Sequence, residues 1–491
     1  MIRMRPISVA EGLPDLWVVL KFGGTSVATE PGWQTIAGAC REILAEGHRV
    51  LLVCSALAGV SNALDELIAA AAAGEDVTGG LLALREAHIA LASDLGMGLP
   101  RGVDDALAEL EAGLHGVRLL RDASPRVRAR LMALGERMST HLGAAWLETQ
   151  GQRCAWCDAT TLLTTASRPG MPESSRYLAA RVAPAPNAEI RARLPDAPIV
   201  ITQGFVAADH EGNTVLLGRG GSDTSAACLA VIIGAVRAEI WTDVPGLFTA
   251  NPQQVTGARH LERLGYDEVA AMASLGARVL HPRCIEPVFD ASLPLHVRST
   301  YLPDAPGTRV DSGSEPGIKA VTARRGLALL RMCRPSQWQP VGFVADVSAC
   351  FRRHGMSIDL MSTSPSTVVA TVDPSSAPGA SFDALLHDLD GVCDVSLQRP
   401  VASVSLVGTR VRNALDRLGS AFQELEGVAV GMVAQGAADH HLTFVIRQSA
   451  VDEVVRRLHS VLLDEPASET FGPTLAQLSA AHPTPGTEMS A

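Results

Sequence analysis

The chain has 491 residues, 47% of them hydrophobic and 19% charged, which is the balance of a folded protein of two to four domains and excludes a disordered one. Its 41 basic and 52 acidic residues leave a net charge of −11, so it offers phosphate backbones no general field and no nucleic-acid partner is expected. Nine cysteines do not suit a disulfide framework, no run approaches about 18 uncharged apolar residues, and the N-terminus lacks the apolar core of a signal peptide; a cytoplasmic protein with no membrane contact is expected.

In chain order, residues 16–20 read as a strand, 32–45 as an amphipathic helix and 50–53 as a second strand. Helical periodicity follows at 62–73, 104–121 and 127–149. Strands read at 198–202, 215–217 and 239–241, with an apolar helix at 224–233 between the last two. Short apolar strands alternating with helices predict an α/β fold with a mainly parallel sheet between helices. This first domain is expected over residues 1–310, followed by a linker at 311–326 that opens with Asp-Ser-Gly-Ser-Glu-Pro. The rhythm then changes to a strand at 327–332, a helix at 341–354, strands at 357–362 and 367–372 and a helix at 382–389. It repeats as strand 403–407, helix 411–425, strands 428–433 and 442–446 and helix 451–463. Two such βαββα units predict two ferredoxin-like domains, at 327–400 and 401–465, with a loose tail at 466–491.

Four segments could carry chemistry. Lys21-Phe22-Gly23-Gly24-Thr25-Ser26 follows a strand, and a lysine beside two glycines outlines a phosphate cradle, although an ordinary strand-to-helix turn would read the same. Gly218-Arg219-Gly220-Gly221-Ser222-Asp223 precedes the helix at 224–233. Ser222 or Asp223 could simply cap that helix, but capping needs neither three glycines nor an arginine, which can grip a carboxylate or phosphate with two bonds. Trp241-Thr242-Asp243-Val244-Pro245-Gly246 puts Thr242 and Asp243 at the carboxyl end of a strand, where α/β sheets present ligands. Glu136 lies on the helix at 127–149, opposite its apolar stripe and beside Ser139 and Gly143; a solvated glutamate is the default there. Cys154-Ala155-Trp156-Cys157 matches CxxC, but on a strand its two thiols face opposite ways, and no metal site is expected. His281 before Pro282 reads as a turn residue.

Together these segments resemble the aspartate kinase family in order and spacing, from about residue 18 to about residue 463. The resemblance implies an amino-acid-kinase fold followed by two βαββαβ ACT domains. It implies ATP with Mg2+ as phosphoryl donor and the β-carboxylate of L-aspartate as acceptor. By the same resemblance, Lys21 with Gly23 and Gly24 would stabilise the transferring phosphoryl group, and Asp223 would organise Lys21. Arg219 would hold the substrate α-carboxylate, with Ser55, Ser61 and Glu136 completing the aspartate pocket. Gly220, Gly221, Ser222, Thr242, Asp243, Phe248, Asn251, Arg278 and Val279 would meet the nucleotide. The sequence departs from the family's pattern at Phe248, where Tyr is common, at Asn251 for Asp, at Arg278 for Lys and at Ser61 for Thr.

Ser357-Ile358-Asp359-Leu360-Met361-Ser362-Thr363-Ser364 is similar to the effector segment of lysine-inhibited relatives. Ile358, Asp359 and Ser364 would then bind an amino-acid effector, lysine first, capped by Gly342, Phe343 and Val344 from a helix N-terminus; Pro365 replaces an acidic residue found in some relatives. A homodimer or larger assembly through the ACT domains is implied. The competing readings are another phosphotransferase of the same fold, acting on glutamate, carbamate or a nucleoside monophosphate, and an amino-acid sensor with an inactive kinase half.

Overall fold

The computed structural model describes residues 16–166, 170–277, 279–334, 341–375, 382–436, 438–463 and 470–482. The chain divides into two compact units: the chain up to Leu247 together with Val279–Ser312 and the chain from Ser479, and Phe248–Arg278 together with Gly313–Leu478.

The first unit is built on seven strands: β1 (Trp17–Phe22), β2 (Arg49–Cys54), β3 (Cys154–Trp156), β4 (Ile199–Gln203), β5 (Arg237–Thr242), β6 (Leu295–Ser299) and β7 (Thr308–Asp311). They run in the order β7-β6-β5-β1-β2-β4-β3, all parallel except β7. Every residue of β1 is buried, as expected of a central strand covered on both faces. Helices Glu30–Ala45, Arg101–Leu120 and Leu134–Thr149 carry one apolar core together with β1 and β2. Gly143 is forced by this packing, since a Cβ there would lie 2.0 Å from the Trp33 ring. The helix expected at 127–149 is in fact two, Pro125–Met132 and Leu134–Thr149, meeting at Ala133. Helix Thr78–Asp94 escaped the sequence reading because Gly79 and Gly80 mimic a loop and only Leu84, His88, Leu91 and Ala92 are buried.

In the second unit, β8 (Gly317–Cys333), β9 (Leu360–Ser364), β10 (Thr367–Val372), β11 (Asp394–Thr409), β12 (Val430–Gln435) and β13 (His441–Arg447) form one antiparallel sheet, in the order β9-β10-β8-β11-β13-β12. Helices Phe343–Arg353 and Phe382–Asp390 pack on one stretch of it through Val347, Phe351, Leu385 and Leu389. Helix Val451–Leu463 packs on another, through Val454, Leu458 and Leu462.

Three expected boundaries change. The linker at 311–326 is mostly strand, because β8 begins at Gly317; its charged residues disguise it, yet Lys319 is only 4% exposed. The expected break between 400 and 401 falls inside β11, so the two ferredoxin-like halves share a sheet knitted by β8 and β11, paired from Gly317↔Thr409 to Cys333↔Asp394. The single first domain at 1–310 loses Phe248–Arg278 to the second unit. The tail is also partly ordered: Phe471–Thr474 pairs with Arg259–Leu261, and Leu478 on helix Leu475–Ala481 is buried.

Candidate functional site

Parallel strands deliver their carboxyl ends to one edge, and there the first unit gathers its chemistry. Lys21 pairs in register with Val53 and Ile240, and Ser55 and Thr242 follow two residues further along the chain on either side of its strand. Lys21 is 8% exposed, and its ammonium lies 2.6 Å from Asp223 Oδ1. Asp223 sits in the first turn of helix Gly221–Ile232, whose N-cap is Gly220 with no side-chain cap. The capping explanation for Ser222 and Asp223 therefore fails: both lie within the helix, and Asp223 turns to Lys21.

Both glycine turns have steric causes. A Cβ on Gly24 would stand 2.8 Å from the Ala56 carbonyl oxygen. Gly220 has φ 68°, and a Cβ there would strike the His281 ring at 2.1 Å. His281 is the turn residue expected, its Nδ1 accepting from the Arg283 amide, but it also walls this loop, a role visible only in three dimensions. Arg219 is exposed and makes no hydrogen bond or ion pair among the described residues. Ser222 is half-buried against Gly204.

Glu136 corrects the sequence reading. It is 3% exposed, because the face of helix Leu134–Thr149 opposite the apolar stripe packs on the segment after β2. Ser139 Oγ donates to the Ser55 carbonyl at 2.7 Å, tying helix to strand end. Burial pushes the Glu136 carboxyl up to about 8, against backbone amides, Ala56 first, that favour its ionised form. Its Oε2 is buried without a partner among the described residues. A carboxylate so placed is a receptor for a cation brought by a ligand. Ser55 and Ser61 are half-buried nearby in sequence, Ser61 in the first turn of helix Val60–Ala73.

At the end of β5, Thr242 Oγ1 donates to the exposed Asp243 at 3.0 Å, and the Thr242 carbonyl accepts from the Thr300 amide. Two expected nucleotide residues pack as part of the second unit. Phe248 belongs to the second unit, 7% exposed in its core with its ring edge-on to His260 at 5.6 Å. Asn251, in the same unit, spends its side chain on a turn by accepting from the Gln253 amide. Arg278 lies outside the described residues, and Val279 is half-buried in a turn of the first unit. Cys154 and Cys157 are free thiols, and among the described residues no cluster of three His, Cys, Asp or Glu side chains is placed to hold a metal. No described helix is long and apolar enough to cross a membrane.

The expected effector residues separate. Gly342, with φ 80°, precedes helix Phe343–Arg353; Phe343 is buried in the core, while Val344 and Ser364 are exposed. Ile358 and Asp359 instead line a cavity of about 450 Å3 that none of those four residues touches. Asp359 is held there by Arg324, missed in the sequence, which also binds Asp373; both bonds are 2.9 Å. Burial raises the Asp359 carboxyl, with Arg324 opposing.

Residues 16–299 match the amino acid kinase family, and residues 404–462 match an ACT domain. The chain is 33% identical to lysine-sensitive aspartokinase 3 of Escherichia coli strain K12, over 91% of this chain and 99% of that protein. The crystal structure of E. coli aspartokinase III in complex with aspartate and ADP, the R-state, matches with a TM-score of 0.75 at 32% identity, covering 91% of this chain and 100% of that one. Its T-state complex with lysine and aspartate matches with a TM-score of 0.73 at 31% identity and the same coverage.

Proposed function

The chain belongs to the amino acid kinase family and, within it, to the aspartokinases, and from this premise we propose that it transfers the γ-phosphoryl group of ATP to the β-carboxylate of L-aspartate, giving 4-phospho-L-aspartate and ADP. The observation that carries the reading is the Lys21–Asp223 pair at 2.6 Å, between two glycine turns at the carboxyl edge of the sheet.

A carboxylate is already a nucleophile at neutral pH, so the reaction asks for positioning and neutralisation of charge, with no strong base. The β-carboxylate oxygen attacks the γ-phosphorus while the bond to the bridging oxygen breaks and ADP departs. Lys21, aimed by Asp223, stabilises the charge on the transferring group, with the Gly23 and Gly24 amides and the N-terminal end of helix Gly221–Ile232 in support. Arg219, with no partner among the described residues, grips the α-carboxylate. Glu136 Oε2 takes the α-ammonium, which answers its unmet bond. Ser55 and Ser61 offer hydroxyls to the substrate, and Thr242 and Asp243 the nucleotide contacts. Asp243, exposed at the strand end, would hold the Mg2+ that accompanies ATP, and the ion would supply neutralisation of the phosphate charge.

The second unit is proposed as the regulatory part, binding lysine and joining chains into homodimers or larger assemblies in the cytoplasm. A lysine-sensitive relative at 33% identity supports this. A hydroxamate assay with ATP tests the whole: aspartate is turned over and glutamate is not, and equal rates on the two would sink the assignment. Lysine, threonine and both together, titrated into that assay, test the regulation.

A further inference from the structure

The turn that carries Arg219 in the first unit is held from outside. Gly218 and Gly220 both take left-handed backbone, with φ of 73° and 68°. Arg219 therefore stands on a sharp bend, closed by the Gly221 amide donating to the Gly218 carbonyl at 2.9 Å. Its side chain is exposed and makes no bond among the described residues, so the backbone beneath it sets where the guanidinium points.

One short segment braces both shoulders of that bend. At the near shoulder Arg283 Nη1 donates to the Leu217 carbonyl at 3.0 Å, while the Leu217 amide donates to the Phe205 carbonyl at 2.9 Å. The peptide groups on both sides of Leu217 are thus fixed, and with Leu217 1% exposed, water is a poor substitute for Arg283. At the far shoulder the His281 ring fills the space beside Gly220 where a Cβ would fall. The two braces are joined, since His281 Nδ1 accepts from the Arg283 amide at 3.3 Å in the turn Pro282–Cys284.

Arg283 is not explained by an ion pair. It is half-buried and meets no carboxylate among the described residues; burial first, and then the neighbouring Arg181, push its guanidinium below the ordinary arginine value. Arg181 follows Ala179, which flanks Gly218 on the same side as Arg283 Nη1. Keeping such a cation costs stability, and its one side-chain bond among the described residues goes to the carbonyl before the bend.

We propose that Arg283 is a positioning residue for the phosphoryl acceptor: it holds the Leu217 carbonyl, and through it the glycine bend, so that Arg219 meets the substrate α-carboxylate. The proposal deepens the kinase reading above and rests on it for the role of Arg219. It gives Arg283 no contact with the substrate.

Steady-state kinetics of the full chain, with aspartate and ATP varied in turn, test it. Arg283→Ala should raise the KM for aspartate at least tenfold and change the KM for ATP less than threefold. Its Tm should change little, because the lost hydrogen bond is offset by relief of the repulsion from Arg181. Arg283→Lys, which keeps a donor for the Leu217 carbonyl, should bring the aspartate KM back to within threefold of the wild type. A purely structural role would instead lower Tm and the active fraction and leave both KM values in place. If Arg283→Ala does not fold, Arg283→Gln decides by the same split between the two substrates. An unchanged aspartate KM in the folded variants, an equal rise in both KM values, or no recovery in Arg283→Lys overturns the proposal. Failure of the kinase reading would register separately, as absent aspartate-dependent ATP turnover by the wild type, and failure of the Arg219 assignment as an unchanged aspartate KM in Arg219→Ala.

Discussion

Lys21 and Asp223 come from distant parts of the chain and meet because a central strand and the helix after the second glycine turn both end at one edge of the sheet. Lys21→Ala is expected to lower kcat by about 10²- to 10³-fold, the usual loss of a charge-stabilising donor, in steady-state assays with saturating ATP. Both residues were legible in the sequence, because glycines flanking a lone charge have few other uses. Glu136 was legible only as a residue, since helical periodicity names the face but not what covers it. Its burial has a consequence for pH. The substrate ammonium needs the ionised carboxylate, and the ligand-free group titrates near 8. The KM for aspartate should therefore fall as pH rises from 6 to 8, by up to about tenfold per unit. Stability runs the other way. An acid whose folded value, about 8, exceeds its ordinary value of 4.5 holds more protons folded than unfolded between those limits, so stability declines as pH rises through that window. Glu136→Gln should remove the decline and raise Tm at pH 8 by roughly 2–4 °C in ligand-free scanning calorimetry, while raising the KM for aspartate.

The elements that sequence reading placed well were those with clean periodicity: strand Thr367–Val372 and helix Val451–Leu463 have the expected bounds. One that it missed in part is polar yet buried. The first part of strand Gly317–Cys333, up to residue 326, reads as a linker because Lys319, Thr322, Arg324 and Arg325 interrupt its apolar pattern, and only the fold supplies their partners. Lys319 Nζ lies 3.1 Å from Glu268 Oε2, which also accepts from the Ser314 hydroxyl and the Gly265 amide and so fixes the start of helix Tyr266–Ser274. With Lys319 4% and Glu268 0% exposed, removing one partner strands a buried charge. Lys319→Met should cost about 3–5 kcal/mol in urea unfolding of the second unit, and Lys319→Met with Glu268→Gln should recover much of it.

At the scale of the molecule, the two rhythms of the sequence correspond to two units, but the chain is divided between them less simply than a list of domains. Strands Leu295–Ser299 and Thr308–Asp311 return to the first sheet after Phe248–Arg278 has joined the other unit. No local pattern announces such an excursion, because each piece reads as an ordinary strand or helix wherever it packs. A fragment of residues 327–465 cuts strand Gly317–Cys333 and omits Phe248, Val255 and Ala258 from their core; it should show no cooperative thermal transition by circular dichroism. The same interleaving sets a clock on synthesis. Tyr266, Val269 and Met272, all buried in the finished protein, emerge from the ribosome some 200 residues before Leu478 completes their unit. At about 5–20 residues per second they wait roughly 10–40 s, an interval in which apolar surface can meet another nascent chain. Slower initiation or lower temperature during expression, which thins the population of waiting chains, should therefore raise soluble yield more than added ligand does.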